Sequence, residues 1–223
     1  MSDPIIVHEL PPSPNNLKVR LALGYKGLSY ERKILDLADF PGDRSAVVQA
    51  SSQPLTPTLE YRGVSIFDSG AIMRFLDANF RDTPRLFSEN YQEMQEIERW
   101  EWFARSNLGE PIGMIFGAAQ EPDKHPGVGP KASALMNERT ADIEAQLSKT
   151  PFLVGARMTA ADVTAVPLVM YAMLPEAAAA MGPIKKFFYE NLTLGEGRER
   201  TRAWVGKVLA FDPHPPLAES VEA

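Results

Sequence analysis

The chain has 223 residues, 44% hydrophobic and 23% charged, with a formal net charge of −6; this is enough for one large or two small cores, in a composition typical of folded globular proteins. The acidic balance and the absence of a basic cluster exclude nucleic acid as the main partner, because phosphate binding needs a basic face. Zero cysteines remove disulfides, thiolate metal sites and cysteine nucleophiles. His8, His125 and His214 are scattered without metal-ligand spacing, so no metal is expected.

No apolar run approaches the roughly 20 residues of a membrane span. The opening MSDPIIVHEL has no charged segment followed by a long apolar one. The expectation is a cytoplasmic protein with no membrane partner.

Residues 5–10 read as a first strand, which runs into Pro11-Pro12-Ser13-Pro14, where the prolines forbid continued sheet or helix. Asn15 or Asn16 can cap a helix through Leu17, Val19, Leu21, Ala22 and Leu23 that ends near Gly27. Residues 30–35 form the next expected strand and 46–49 a weakly signalled second helix. Two β-prone stretches, 56–60 and 64–67, flank Arg62-Gly63 as a hairpin turn. Asp68 and Ser69 then open an apolar-periodic helix through Ile72, Phe75 and Leu76. The order β-α-β-α-β-β-α is the thioredoxin-like arrangement.

From Asp82-Thr83-Pro84 onward strand signals give way to helical ones, so residues 1–82 and 83–223 are read as two domains, α/β followed by all-α. Residues 88–116 suggest a long helix, with Met94, Ile97, Ala104 and Leu108 on a face, that Pro111 kinks or divides. Residues 121–130, with three prolines and two glycines, read as a loop, and 131–147 as a helix bearing Leu135, Ile143 and Leu147. Thr159 and Asp162 form a capping box, with Met158 and Val163 as its hydrophobic staple. Arg202-Ala203-Trp204 and Val208-Leu209 mark a last core helix, and residues 211–223 read as an extended tail.

Thr56-Pro57 and Asp68-Ser69, with their strand, turn, strand and helix flanks, resemble the second half of the thioredoxin-like domain of cytosolic glutathione transferases. The 153–163 segment resembles the capping-box segment of that family's helical domain, and 202–209 its final core helix, so the resemblance spans nearly the whole chain. It implies a cis-proline at Pro57, a Thr56 backbone that pairs with the cysteinyl part of glutathione, and Asp68 and Ser69 holding the γ-glutamyl end. A helix N-terminus suits that carboxylate, since free N–H groups and the dipole both favour an anion there.

The same resemblance puts Ser13-Pro14-Asn15 at the catalytic loop, similar to nu-class bacterial and to fungal and β-etherase-related members. There the glutathione thiol must become a thiolate, the nucleophilic form. Lowering a thiol pKa of about 8.5 by about two units takes roughly 2.7 kcal/mol of preferential anion stabilisation. A hydroxyl or amide donor and the positive end of a helix can supply it. Ser13 offers the hydroxyl and is the first candidate; Asn15 offers the amide and is the second. Without a cysteine, the chain cannot deglutathionylate as the cysteine-bearing members do, and no GxSxG elbow supports a serine hydrolase.

The chain departs from the family pattern at two places. Leu55 stands where Gln or Lys often meets the glycyl end of glutathione, and Gly70 where a charged or bulky residue is common. Lys18, Lys33, Gln49 and Gln53 are the candidates to replace that contact, with Lys33 and Gln53 taken as glutathione-binding. The resemblance places a hydrophobic-substrate pocket at Pro11 and Pro12, walled by residues of the second domain such as Phe103 and Met114. The expected activity is glutathione transfer to a small hydrophobic electrophile, by conjugation or by ether or halide cleavage, as in detoxification, in a homodimer with glutathione as co-substrate. The competing reading is a non-catalytic binder of glutathione or a hydrophobic ligand.

Overall fold

The computed structural model describes residues 3–35 and 42–215. Four strands, β1 (Ile6–Glu9), β2 (Glu31–Ile34), β3 (Thr58–Tyr61) and β4 (Val64–Phe67), form one sheet in the order β2-β1-β3-β4. β1 and β2 are parallel, so a crossover must join them. That crossover is α1 (Pro14–Lys26). β3 runs antiparallel to β1 and β4 antiparallel to β3. With α2 (Ser45–Ser51) before β3 and α3 (Ser69–Asn79) after β4, the order is that of a thioredoxin-like domain, as the sequence predicts.

Strand alternation puts α2 and α3 on opposite faces. The Tyr61 ring meets Phe75 and Phe80 of and beyond α3 at 6.2 and 5.3 Å. Thr58, three residues earlier and so on the other face, has its hydroxyl 3.5 Å from Ser51 Oγ of α2. α1 packs beside α3. The hairpin closes on Arg62 and Gly63, both at positive φ (50° and 74°), the two-residue turn whose twist matches the strands.

Several boundaries differ from the sequence reading, each for a local reason. α1 starts at Pro14, with Ser13 at its cap, rather than at an Asn15 or Asn16 cap, because the proline ring pre-sets helical φ and has no N–H to lose. β3 starts at Thr58, since Pro57 cannot donate to the ladder. The tail's first residues, 211–215, are packed down, with Asp212 buried; residues 216–223 lie outside the described ones. Gly24 makes that packing possible, because a Cβ there would stand 1.8 Å from the Phe211 carbonyl oxygen.

The described residues divide into two compact units, 3–35 and 42–87 with 211–215, and 88–210. The second unit is helical: α4 (Tyr91–Phe103), α5 (Gly109–Gln120), α6 (Val128–Leu147), α7 (Ala160–Val169), α8 (Pro183–Asn191) and α9 (Glu199–Leu209). The helix expected over 88–116 is divided into α4 and α5 by a π-helical turn at Ala104–Leu108, three to seven residues ahead of Pro111. Pro111 lacks a donor and crowds the carbonyl four residues back, and the wider turn relieves that clash. α6 begins at Val128, inside the expected loop, because Pro130 in a first turn costs no hydrogen bond. Its buried face is Ala132, Met136, Thr140 and Ile143; Leu135 and Leu147 are only half-buried.

Every residue of α7 is buried, against α4 and α9 among others. The Asp162 carboxylate does more than close the expected box. It accepts from Thr159 N at 2.9 Å and Thr159 Oγ1 at 3.0 Å, and also from Leu153 N and Trp204 Nε1, both at 2.9 Å. Burial pushes this carboxyl up from its ordinary pKa against the pull of those donors. Replacing Asp162 with Ala strands four buried donors, so it is expected to cost about 3–5 kcal/mol, read as a lower urea midpoint at unchanged slope. A loss under about 1 kcal/mol contradicts this role for Asp162.

Candidate functional site

Three sequence-distant corners meet at one end of the sheet. In the ladder, His8 stands opposite Thr58 and Thr58 opposite Phe67. One step beyond, the exit of β1, the Thr56-Pro57 pair and the Asp68-Ser69 start of α3 are therefore neighbours. The Thr56-Pro57 bond is cis.

The β1 exit turns sharply, with Ser13 N donating to the Leu10 carbonyl at 2.9 Å across Pro11 and Pro12. Asn16, 1% exposed, locks this turn to the cis-proline loop. Its Oδ1 accepts from Leu10 N at 3.1 Å and its Nδ2 donates to Thr56 Oγ1 at 3.3 Å. By sequence Asn16 is a possible helix cap and nothing more. The only signal was a second asparagine after the Ser-Pro-Asn run.

Ser13 is half-buried and its side chain makes no capping bond, while its carbonyl takes the N–H groups of Asn16 and Leu17 at 3.1 Å each. Asn15 is exposed, and its Oδ1 receives the Lys18 ammonium at 3.0 Å. The first turn of α1 carries no acid. Ser13, Asn15 and Lys18 thus give the positive end of this helix hydroxyl, amide and ammonium donors, a setting that favours an anion such as a thiolate.

At the second corner, Asp68 caps α3 by accepting from Ala71 N at 2.9 Å, and Ser69 is buried. Asp68 holds φ at 71° with ψ at 120°, outside the left-handed well that Asp tolerates. Strain of this kind concentrates at functional sites. Gly70 leaves room here: a Cβ would stand 3.1 Å from Asp68 Oδ1 and 3.5 Å from Arg74 Nη1.

The other expected residues go elsewhere. The Gln53 amide is spent on its own loop, with Nε2 on Ser51 Oγ, the Leu55 carbonyl and Thr58 Oγ1 at 2.7, 3.1 and 3.2 Å, and Oε1 on Leu55 N at 2.6 Å. Lys33 lies on β2 opposite His8, its ammonium 3.6 Å from Glu60. Glu60 in turn accepts from His8 Nε2 at 2.6 Å, and this hydrogen bond holds the carboxyl below its ordinary pKa. Gln49 is exposed on α2, and Leu55 is 64% exposed. Pro11 and Pro12 are half-buried in the first unit; Phe103 on α4 and Met114 on α5 are half-buried in the second. Phe103 stands edge-to-face with Trp100 at 5.3 Å.

The buried base of this end is ionic, which the sequence did not reveal. Arg20 grips Asp212 bidentately, Nε to Oδ1 at 3.0 Å and Nη2 to Oδ2 at 2.9 Å, and its Nη1 reaches Glu9 and the Pro11 carbonyl at 3.4 Å each. Arg32 completes the set on the other oxygen of Glu9. Among the described residues no cluster of His, Cys, Asp or Glu could hold a metal, and no helix is long and apolar enough to cross a membrane.

Residues 7–84 match the family model described as "Glutathione S-transferase, N-terminal domain". The chain is 26% identical over 191 residues to glutathione S-transferase F10 of Arabidopsis thaliana, covering 82% of each chain. It is also 26% identical over 166 residues to FtsZ-localized protein A of Caulobacter vibrioides, covering 71% of this chain and 73% of that one. Among solved structures it superposes on rice GST1 in complex with glutathione with a TM-score of 0.74, at 18% identity and 99% and 95% coverage of the two chains. The fold is that of glutathione transferases. Residues 7–84 are thus similar to the glutathione S-transferase N-terminal domain, and the chain shares the fold of the glutathione transferase structures it superposes on.

Proposed function

We propose that this protein is a glutathione transferase that binds the tripeptide in its N-terminal part, residues 1–82, and takes a small hydrophobic electrophile with help from residues 83–223. The observation that carries this reading is the Asn16 bridge, which sets an acid-free, donor-rich helix start beside the cis-proline loop and the Asp68-Ser69 cap. In it the γ-glutamyl amino group goes to Asp68, its carboxylate to Ser69 and the α3 N-terminus, and the cysteinyl backbone to Thr56 beside Pro57, outside the ladder.

The thiol loses its proton to solvent, and Ser13 or Asn15 donates a hydrogen bond to the resulting thiolate. The sulfur then attacks an electrophilic carbon; a C–S bond forms, and halide or alkoxide leaves with its electron pair. Half-exposed Val64 and Phe67 on the edge strand β4 support a homodimer, since an apolar edge is a ready interface. The site is read as cytoplasmic, where glutathione is plentiful and reduced.

A second reading, a non-catalytic binder of glutathione or of a hydrophobic ligand, has Leu55 in its favour, an exposed apolar residue where a polar contact to the glycyl end is expected. Calorimetric titration with glutathione, paired with a panel of halide, ether and epoxide electrophiles, separates the two. Binding with turnover of at least one class supports the enzyme, and binding with none supports the carrier. Absence of binding contradicts both.

Ser13→Ala is expected to lower kcat by about 10–100-fold, the scale of one lost donor to a reacting anion, while the glutathione Kd changes less than about threefold. Unchanged turnover transfers the thiol-activating role to Asn15. Asp68→Asn does the reverse: it keeps the cap but loses the charge opposite the γ-glutamyl ammonium. Its glutathione Kd should rise about tenfold, the scale of a charge-assisted hydrogen bond, with kcat at saturation largely kept. A kcat collapse at unchanged affinity contradicts the assignment.

A further inference from the structure

We propose that Asp212 is a positioning residue for the Pro11–Ser13 loop, acting through Arg20, so that docking of the 211–214 segment and binding of glutathione reinforce one another. The glutathione half of this statement rests on the transferase reading given above. Residues 211–215 belong to the first unit, where α1 and the approach to β2 receive them residue by residue. The Phe211 ring stands edge-to-face with Tyr25 at 5.2 Å, and the His214 ring edge-to-face with Tyr30 at 5.7 Å. Between them the chain lies close on Gly24, where a Cβ would stand 1.8 Å from the Phe211 carbonyl oxygen and 3.1 Å from Pro213 Cδ.

The centre of this dock is ionic, with Arg20 and Asp212 at 1% and 8% exposure. Asp212 Oδ1 accepts from Arg20 Nε and from His214 N, both at 3.0 Å, and Oδ2 accepts from Arg20 Nη2 at 2.9 Å. Two parallel bonds fix the plane of a guanidinium as well as its place. That plane leaves Nη1 at 3.4 Å from both the Glu9 carboxylate and the Pro11 carbonyl. Glu9 ends β1, and Pro11 lies inside the turn that the Ser13 N–H closes on the Leu10 carbonyl. Arg20 therefore holds the loop before Ser13 at a carbonyl, as Asn16 holds it at the Leu10 N–H.

A buried ion pair adds little net stability over apolar residues of the same volume, whereas its geometry imposes an orientation. When the segment undocks, Arg20 loses two of its four hydrogen bonds. The guanidinium is then drawn to the charged partner that remains, Glu9, at the expense of the neutral Pro11 carbonyl, and the turn before Ser13 loosens. Glutathione, which needs that turn in place, binds the docked form better. Because coupling between two sites is reciprocal, bound glutathione then holds the segment down.

The test compares full-length wild type, Asp212→Asn and Arg20→Lys by amide hydrogen exchange and by calorimetric titration with glutathione. Asp212→Asn keeps the ring contacts of the segment but loses the charge and one of the two acceptors. Arg20→Lys keeps the charge but not the planar fork. Each is expected to speed exchange of the Ser13 amide about tenfold and to raise the glutathione Kd about fivefold or more, the lower end of typical coupling, with β3 and α3 amides unchanged. In wild type, saturating glutathione should slow exchange of the His214 amide by a comparable factor. Wild-type Ser13 exchange or wild-type Kd in Asp212→Asn overturns the inference, as does exchange that quickens equally across β3 and α3, the mark of general destabilisation. If wild type binds no glutathione, the transferase reading and the coupling fail together, and Ser13 exchange in Asp212→Asn alone decides whether Asp212 positions the loop. Phe211→Ala, which loosens the segment without touching the ion pair, carries the same readouts if Asp212→Asn does not fold.

Discussion

A primary amide that is almost wholly removed from water must satisfy its donors and acceptor inside the protein, and Asn16 does so across two loops 40 residues apart. Its oxygen holds the Leu10 N–H and its nitrogen the Thr56 hydroxyl. Everything at this end of the sheet depends on that bridge. It fixes the turn through Pro11 and Pro12, hence the start of α1 and the direction of Ser13 and Asn15. It fixes the same elements against the cis-proline loop, which the β3–β4 register in turn places beside Asp68. The proposed sulfur donors and the proposed peptide platform thereby lie at one end of the sheet.

The helix that carries those donors is unusual in burying three cations, Lys18, Arg20 and Lys26, at 4%, 1% and 3% exposure. Lys and Arg are rarely this buried without partners, so each partner reveals a task. Arg20 ties β1, the Pro11 carbonyl and Asp212, so the residues after α9 belong to the foundation of the proposed catalytic loop. Lys26 binds Asp77 at 2.7 Å and the Pro84 carbonyl at 2.9 Å, while the same Asp77 accepts from Leu86 and Phe87 N–H groups, which fixes the chain as it leaves α3. Removing one member of such a pair typically costs about 3–5 kcal/mol, because the other is left charged in a dry place. Lys18 donates to the Asn15 amide oxygen at the helix start.

The sequence was most readable where the physics is local. Asp68 as a cap, Arg62-Gly63 as a tight turn, Gly27 as a helix stop and Thr159 with Asp162 as a box each depend on residues within four positions, and all are found in place. The thioredoxin-like order followed from them. What depended on distant partners was hidden. Nothing near Asn16 announces Thr56, nothing near Arg20 announces Asp212, and Trp204 reaches Asp162 across 42 positions. The local bonds of Gln53, made within five residues of itself, were equally hidden. Nothing near Lys33 announces Glu60, 27 positions on. The π-helical turn was unreadable because Pro111 states that a helix must adjust but not where.

The most direct measurement of the central claim is a crystal structure of the protein with glutathione bound. The account predicts the γ-glutamyl group at Asp68 and Ser69, the cysteinyl backbone alongside Thr56, and the sulfur within hydrogen-bonding distance of Ser13 Oγ or Asn15 Nδ2, with the Asn16 bridge intact. A tripeptide bound away from the cis-proline loop, or one seated there with its sulfur facing neither donor, contradicts it.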